Sequence, residues 1–130
     1  MSMRFTLALP VMLALGAAHS AMAADQALVE RGHAVFGKWC EGCHRAAPAL
    51  QMRGSGLVGQ VFAGTYTLEQ RYHGSVPAAL EQRTDLSPDL IRLTVRRGLN
   101  VMPRSRKTEI PDADLDAVVA YLTQHNRASR

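Results

Sequence analysis

The chain has little cysteine, few aromatic residues and no long apolar run beyond its N-terminal segment. Only two of its 130 residues are cysteines, Cys40 and Cys43, so a framework of several disulfides is excluded. Aromatic residues make up 5% of the chain, which limits the apolar surface available for a core. After the N-terminal segment, the sequence contains no stretch apolar enough to predict a membrane span.

Strong charge of one sign is also lacking. Lys and Arg number 15 against 11 Asp and Glu, a net charge of +4. Removal of the first 23 residues, in which Arg4 is the one charged side chain, would leave 14 basic and 11 acidic side chains. This mild excess is compatible with an acidic partner. It does not indicate nucleic-acid binding, because no stretch interleaves basic and aromatic residues.

The first 23 residues have the pattern of a secretory leader. Arg4 supplies the positive n-region, residues 5–18 form an apolar segment, and Ala21-Met22-Ala23 is a small-residue cleavage site. An uncleaved anchor is the alternative, but so short a segment before such a site favours removal. We therefore expect residues 1–23 to be a cleaved signal peptide, residues 24–130 to form one domain, and the protein to be periplasmic.

The rest of the chain shows helical periodicity and predicts an all-α domain. We expect a first helix from Gln26 to Lys38, capped by Asp25. Residues 45–64 are rich in Gly, Ala and Pro and predict a loop. Residues 65–74 are ambiguous and predict no more than a helical turn over residues 68–72, whereas residues 76–82 predict a short helix that starts at Pro77.

Two later segments carry clear helix signals. Ser87-Pro88-Asp89 predicts a helix start, and this helix should end at Gly98 with its apolar face buried. The last helix should begin near Pro111. The residues expected to be buried by these two helices are Leu90, Ile91, Thr94, Val95, Leu115, Val118, Val119 and Leu122.

Residues 40–44 read Cys-Glu-Gly-Cys-His, the attachment signature of a c-type haem. One helical turn places Cys40 and Cys43 on the same side, with His44 beside them. The two thiols would form thioether links to the porphyrin, and His44 would ligate the iron. An electron-transfer iron also needs a second axial ligand, and a methionine raises its reduction potential relative to a second histidine.

A thiol–disulfide active site and a structural zinc site are the alternatives for the two cysteines. A thiol–disulfide active site follows a buried strand, whereas the residues before Cys40 have helical spacing. A structural zinc site needs four Cys or His ligands, and the remaining histidines of the domain stand apart from the cysteines.

Met102 is the predicted second ligand. If the leader is removed, Met52 and Met102 are the methionines that remain. Met102 follows a helix in Gly98-Leu99-Asn100-Val101-Met102-Pro103, and a loop of this kind can present a soft thioether to iron. Packing in the core is the alternative role for Met102. Met52 is the less favoured ligand, because it lies too close to His44 along the chain to reach the opposite face of a haem comfortably.

The chain resembles class I cytochrome c over nearly all of residues 24–130. Gly32 and Phe36 match the glycine and aromatic residue of that family's first helix, and residues 118–122 match its last helix. In the family these two helices cross closely, and a glycine facing Tyr121 would permit this. Ala47-Pro48-Ala49-Leu50 resembles the segment whose proline carbonyl holds the second ring nitrogen of the axial histidine. Ala47 departs from the family's glycine, and residues 54–57 are a competing alignment.

The resemblance implies the class I cytochrome c fold, with a few helices and loops around one covalently bound haem c. The implied cofactor-binding residues are Cys40, Cys43, His44, Pro48 and Met102, with His44 and Met102 on the iron. It implies an electron carrier rather than an enzyme, with no catalytic residues. An open iron site that reacts with peroxide or binds a diatomic gas is the alternative.

The expected partners are redox proteins. Residues 91–103 are similar to the same segment of small cytochrome subunits that accept electrons from periplasmic dehydrogenases with a flavin or quinone cofactor and pass them to the respiratory chain. A freely diffusing shuttle that carries electrons to a terminal oxidase fits equally well. Basic residues around Met102 would then steer an acidic partner. The residues of this basic cluster are Arg92, Arg96, Arg97, Arg104, Arg106 and Lys107.

Overall fold

A computed structural model describes residues 9–46, 51–53, 56–58 and 62–127. These residues are mostly helical, which confirms the predicted all-α class. The α-helices are α1 (Leu9–Trp39), α2 (Glu41–His44), α3 (Ala63–Tyr72), α4 (Pro88–Arg97) and α5 (Asp112–Thr123). Two 3₁₀ turns cover Leu80–Gln82 and Gln124–Arg127, and two short antiparallel strands, β1 (Gln51–Arg53) and β2 (Gly56–Val58), pair Met52 with Leu57.

The core lies between α1, α4 and α5. Its buried members are Phe36, Leu86, Ile91, Val95, Ile110, Leu115, Val118, Val119 and Leu122. The four residues expected to be buried by the last helix are all among them. No helix in the described part of the chain is long and apolar enough to cross a bilayer.

Helices α1 and α5 cross at Gly32. A Cβ atom on Gly32 would lie 2.6 Å from the carbonyl carbon of Ala117 and 2.7 Å from Cβ of Tyr121, and closer still to the Ala117 oxygen. Real Cβ contacts are longer, so no larger residue fits without moving a helix. The ring of Phe36, one turn further along α1, lies 5.7 Å from that of Tyr121. The predicted close crossing of the first and last helices is confirmed.

Helix α4 begins and ends where the sequence predicts. The Ser87 hydroxyl accepts a hydrogen bond from the Leu90 amide at 3.1 Å, and Pro88 occupies the first turn. Gly98 ends the helix with φ 72°, a left-handed conformation that suits glycine. The prediction that Leu90 is buried is wrong, since it is 48% exposed; the buried stripe is Ile91 and Val95.

Three other helix predictions are corrected. Helix α1 begins at Leu9 rather than after Asp25, because the Ala- and Leu-rich segment before Asp25 favours helix throughout. A ten-residue helix, α3, occupies the end of the predicted loop and the segment predicted to form only turns. The short helix expected over residues 76–82 is reduced to the 3₁₀ turn at Leu80–Gln82.

Candidate haem site

The segment that carries the attachment motif is a single helical turn. Cys40 precedes α2, and its carbonyl accepts hydrogen bonds from the amides of Cys43 at 3.0 Å and His44 at 2.9 Å. The turn therefore has the compact backbone that the motif spacing predicts. Cys40 is half-buried and packs against the core, whereas Cys43 is exposed, and both are free thiols.

The surroundings of Cys40 do not suit thiol–disulfide exchange. Burial, and secondarily the nearby Cys43, raises the pKa of the Cys40 thiol to about 11. Reactive cysteines instead have lowered pKa values, because the thiolate is the nucleophile. The element before Cys40 is helix α1 rather than a strand. Among the described residues, no group of three or more His, Cys, Asp or Glu side chains is placed to hold a metal ion.

His44 is placed as a neutral, partly buried imidazole. Burial lowers the pKa of His44, and neutral imidazole is the form that binds metals. Its Nδ1 atom is buried and has no hydrogen-bond partner within the described part of the chain. A buried polar atom left in this way is costly, so Nδ1 needs an acceptor. The carbonyl of Pro48 is the predicted one; Pro48 lies outside the described residues and that assignment stays a prediction.

Gly64, in the first turn of α3, lies directly against the His44 ring. A Cβ atom at this position would approach Cε1 of His44 to 2.5 Å, Nδ1 to 2.7 Å and the Cys43 carbonyl oxygen to 2.8 Å. Only glycine leaves room for the imidazole here. The sequence predicts Gly64 at the end of a loop, and a single glycine does not indicate which ring it will contact.

Further contacts fix α3 against the attachment turn. The hydroxyl of buried Thr65 donates a hydrogen bond to the Arg45 carbonyl at 2.8 Å. The Arg45 guanidinium lies over the buried ring of Phe62, 5.8 Å from its centroid, and pairs with Glu41. The backbone that follows His44 is therefore anchored from both sides of Gly64.

Met102 lies in a tight turn after α4. The amide of Leu99 donates to the Met102 carbonyl at 3.1 Å, and the amide of Met102 donates back to Leu99 at 2.9 Å. Asn100, within the turn, has φ 53°. A Cβ on Gly98 would lie 2.6 Å from the Met102 carbonyl oxygen, so this turn also depends on a glycine. Met102 is half-buried and packs against the same core as Cys40.

Apolar side chains stay exposed on α4 and in the turn that follows it. Leu90 and Leu93, three residues apart and therefore neighbours on α4, are about half exposed, as is Leu99, and Val101 is 79% exposed. Exposed apolar surface of this kind is what an apolar cofactor or partner covers. Together with the free Cys40 and Cys43 thiols and the unpartnered Nδ1 of His44, it shows that the residues present fit a covalently attached haem.

The basic cluster is less free to steer a partner than the sequence suggests. Arg97 has no ion pair among the described residues, and Arg104 has only a longer-range attraction to Glu109. The other four form ion pairs: Arg92–Asp116 at 2.9 Å, Arg96–Asp112 at 2.9 Å, Arg106–Glu109 at 3.2 Å and Lys107–Asp112 at 2.7 Å. Hydrogen bonds from Lys107 and then Arg96 hold the pKa of Asp112 below its usual value.

Comparison with known proteins gives one match. A family model described as cytochrome c oxidase, cbb3-type, subunit III matches residues 27–122, which is well over half of the chain and includes every residue of the site described above. No curated protein and no solved structure matches significantly. The match confirms the predicted class I c-type cytochrome with one covalently bound haem c, and it supports an electron-carrying role. The chain belongs to the family of c-type cytochrome domains described as cytochrome c oxidase, cbb3-type, subunit III.

Proposed function

We propose that the chain is an exported one-electron carrier in which His44 and Met102 ligate the iron of a haem c attached to Cys40 and Cys43. The observation that carries this proposal is His44 itself. It follows the two free thiols in one helical turn, it is buried enough to be neutral, and the absence of a side chain at Gly64 leaves the space that its ring occupies. This arrangement presents an imidazole in the form that binds iron.

Each residue of the proposed site has its own role in holding the haem. When bound, the haem iron supplies the couple that takes up and releases one electron. Cys40 and Cys43 hold the cofactor, His44 donates a ring nitrogen, and Met102 supplies a soft sulfur that raises the reduction potential relative to a second histidine. The core behind Cys40 and Met102 excludes water from that side. No proton transfer by a side chain is required, so no catalytic acid or base is assigned.

The location and partners follow from the leader and the family. The leader over residues 1–23 indicates export to the periplasm, with residues 24–130 as the functional domain. The matched family is described by a respiratory oxidase subunit, which favours a place in electron transport to a terminal acceptor. We propose a periplasmic flavin- or quinone-cofactor dehydrogenase as the electron donor. Arg97 and Arg104 are the members of the basic cluster least engaged within the chain and therefore the best placed to attract an acidic redox partner.

Absorption spectroscopy of the haem-loaded protein tests the ligand assignment. The oxidised native protein should show the weak near-infrared band of sulfur bound to ferric haem iron. Met102→Ala should lose that band and lower the reduction potential, because the soft ligand is gone. Met52→Ala is the matched control and should retain both.

Two results would contradict the proposal. Loss of the band in Met52→Ala but not in Met102→Ala would make Met52 the ligand. A high-spin spectrum without the band in the native protein would indicate an open iron site, and the haem enzyme or gas sensor would become the better interpretation.

A further inference from the structure

We propose that Arg96 is a positioning residue that holds Met102 against the iron, an inference that rests on the ligation proposed above. Arg96 is in the last turn of α4, two residues before Gly98, and within the described part of the chain its side chain binds Ser105, Ile110 and Asp112 rather than the Met102 turn itself. It binds the segment that follows, residues 103–112, and so fixes the position of the Met102 turn relative to α4.

Arg96 makes three contacts along that segment. One terminal nitrogen, Nη1, donates to the Ser105 carbonyl at 3.2 Å. The other, Nη2, donates to the Ile110 carbonyl at 2.8 Å and to the Asp112 carboxylate at 2.9 Å. One side chain therefore connects the end of α4, the middle of the connection and the start of α5. The planar guanidinium can donate to the two carbonyls and the carboxylate at once, whereas the ammonium group of a lysine cannot.

A backbone hydrogen bond reinforces these side-chain contacts. The Ser105 amide donates to the Val95 carbonyl at 2.8 Å, so Ser105 is bound to α4 through both its amide and its carbonyl. Residues 96 to 105 consequently form a closed loop with the reciprocal Leu99–Met102 bonds at its tip. The Arg96 side chain is only 21% exposed, so water competes weakly for these hydrogen bonds and their loss would loosen the base of the loop.

The sequence places both Arg96 and its neighbour Arg97 in the basic cluster around Met102. Arg97 is exposed and has no ion pair among the described residues. The two arginines are adjacent on one helix and carry the same charge. They form a matched pair for mutagenesis. Replacing either arginine by glutamine changes the net charge by the same amount, but only the replacement of Arg96 removes the hydrogen bonds to Ser105, Ile110 and Asp112.

Displacement of Met102 by imidazole, followed in the oxidised, haem-loaded protein, measures how tightly the methionine is held. An external ligand binds in proportion to the fraction of molecules in which the methionine has left the iron. We expect Arg96→Gln to raise the apparent affinity for imidazole about tenfold relative to the native protein, in keeping with the loss of charge-assisted hydrogen bonds, and to lower the reduction potential. Arg97→Gln should leave both near native values. Arg96→Lys keeps the charge without the fork and should resemble Arg96→Gln.

Equal imidazole affinities and potentials in Arg96→Gln, Arg96→Lys and Arg97→Gln would overturn the inference, even if the Arg96 variants unfold at lower temperature. If Arg96→Gln fails to fold, the comparison of Arg96→Lys with Arg97→Lys decides in the same way. Absence of the sulfur–iron band in the native protein would instead refute the ligation itself, and the inference with it. The two failures are therefore distinguished by the native spectrum alone.

Discussion

At the scale of single residues, the site depends on a glycine that no chemical argument from sequence would single out. Gly64 binds nothing, yet it determines the space in which the His44 ring lies. A methyl group added there would meet the ring at 2.5 Å and the Cys43 carbonyl at 2.8 Å. One neighbour is the proposed iron ligand and the other is backbone, so neither can move without altering the attachment turn.

We predict that Gly64→Ala destabilises the haem-loaded protein by about 2 kcal/mol, the usual cost of overfilling a packed site, and shifts its reduction potential because the axial ring must rotate. Gly42→Ala is the control, since a Cβ on Gly42 has nothing within 4 Å. Denaturant unfolding and a redox titration measure the two effects. A Gly64→Ala protein indistinguishable from Gly42→Ala would show that α3 does not hold the ring.

The residues proposed to hold the haem are predictions from sequence, and each belongs to a local pattern. Cys40, Cys43 and His44 form one turn, and Met102 follows a helix that ends at a glycine. The positioning residues could not be named in this way. Gly64 contacts His44 from 20 residues along the chain, and Arg96 reaches Ile110 and Asp112, so their roles exist only after folding.

At the scale of elements, a helix is predicted accurately when the residues that start and end it lie within or next to the helix itself. Helix α4 carries its own cap, its first-turn proline and its terminal glycine, and its bounds were predicted correctly. Helix α3 contains Gly64 and two threonines, which are poor helix formers. Burial of Phe62 and Thr65 and the bond from Thr65 to Arg45 stabilise it instead. Helix propensities do not predict tertiary contacts of this kind.

The crossing of α1 and α5 gives a sharp test of packing. Gly32→Ala should destabilise the protein by about 3 kcal/mol, the upper part of the range for overpacking, because the added methyl meets backbone of α5. Gly37→Ala lies in the same helix and meets only the Glu41 carboxylate at an ordinary 3.7 Å. It should stabilise the protein by roughly 0.5–1 kcal/mol through helix propensity.

Thermal or denaturant unfolding of the two haem-loaded variants provides the comparison. If Gly32→Ala were as stable as Gly37→Ala, the two helices would have to lie further apart than described here.

At the scale of the whole molecule, the cofactor should contribute as much to folding as to function. Phe36 is the largest fully buried side chain among the described residues, whereas Leu90, Leu93, Leu99 and Val101, on α4 and in the turn after it, are exposed. Without haem, this apolar surface faces water, and a chain of this size has little other core to compensate.

We therefore predict that the double variant Cys40→Ala, Cys43→Ala, purified without haem, shows no cooperative thermal transition, whereas the haem-loaded native protein does. Circular dichroism and calorimetry would record both. A sharp, native-like transition in the haem-free variant would show that the helices α1, α4 and α5 suffice for the fold.

The ion pair between Arg31 and Asp114 has a consequence for the order in which the chain folds. Its two residues are 83 apart in sequence, so docking α5 on α1 closes a long loop at an entropic cost on the order of 4 kcal/mol. Contacts at such separations form slowly. A cofactor held at residues 40–44 and reached by Met102 would close most of that loop beforehand. Haem attachment should then accelerate the last step of folding, in which α5 docks on α1.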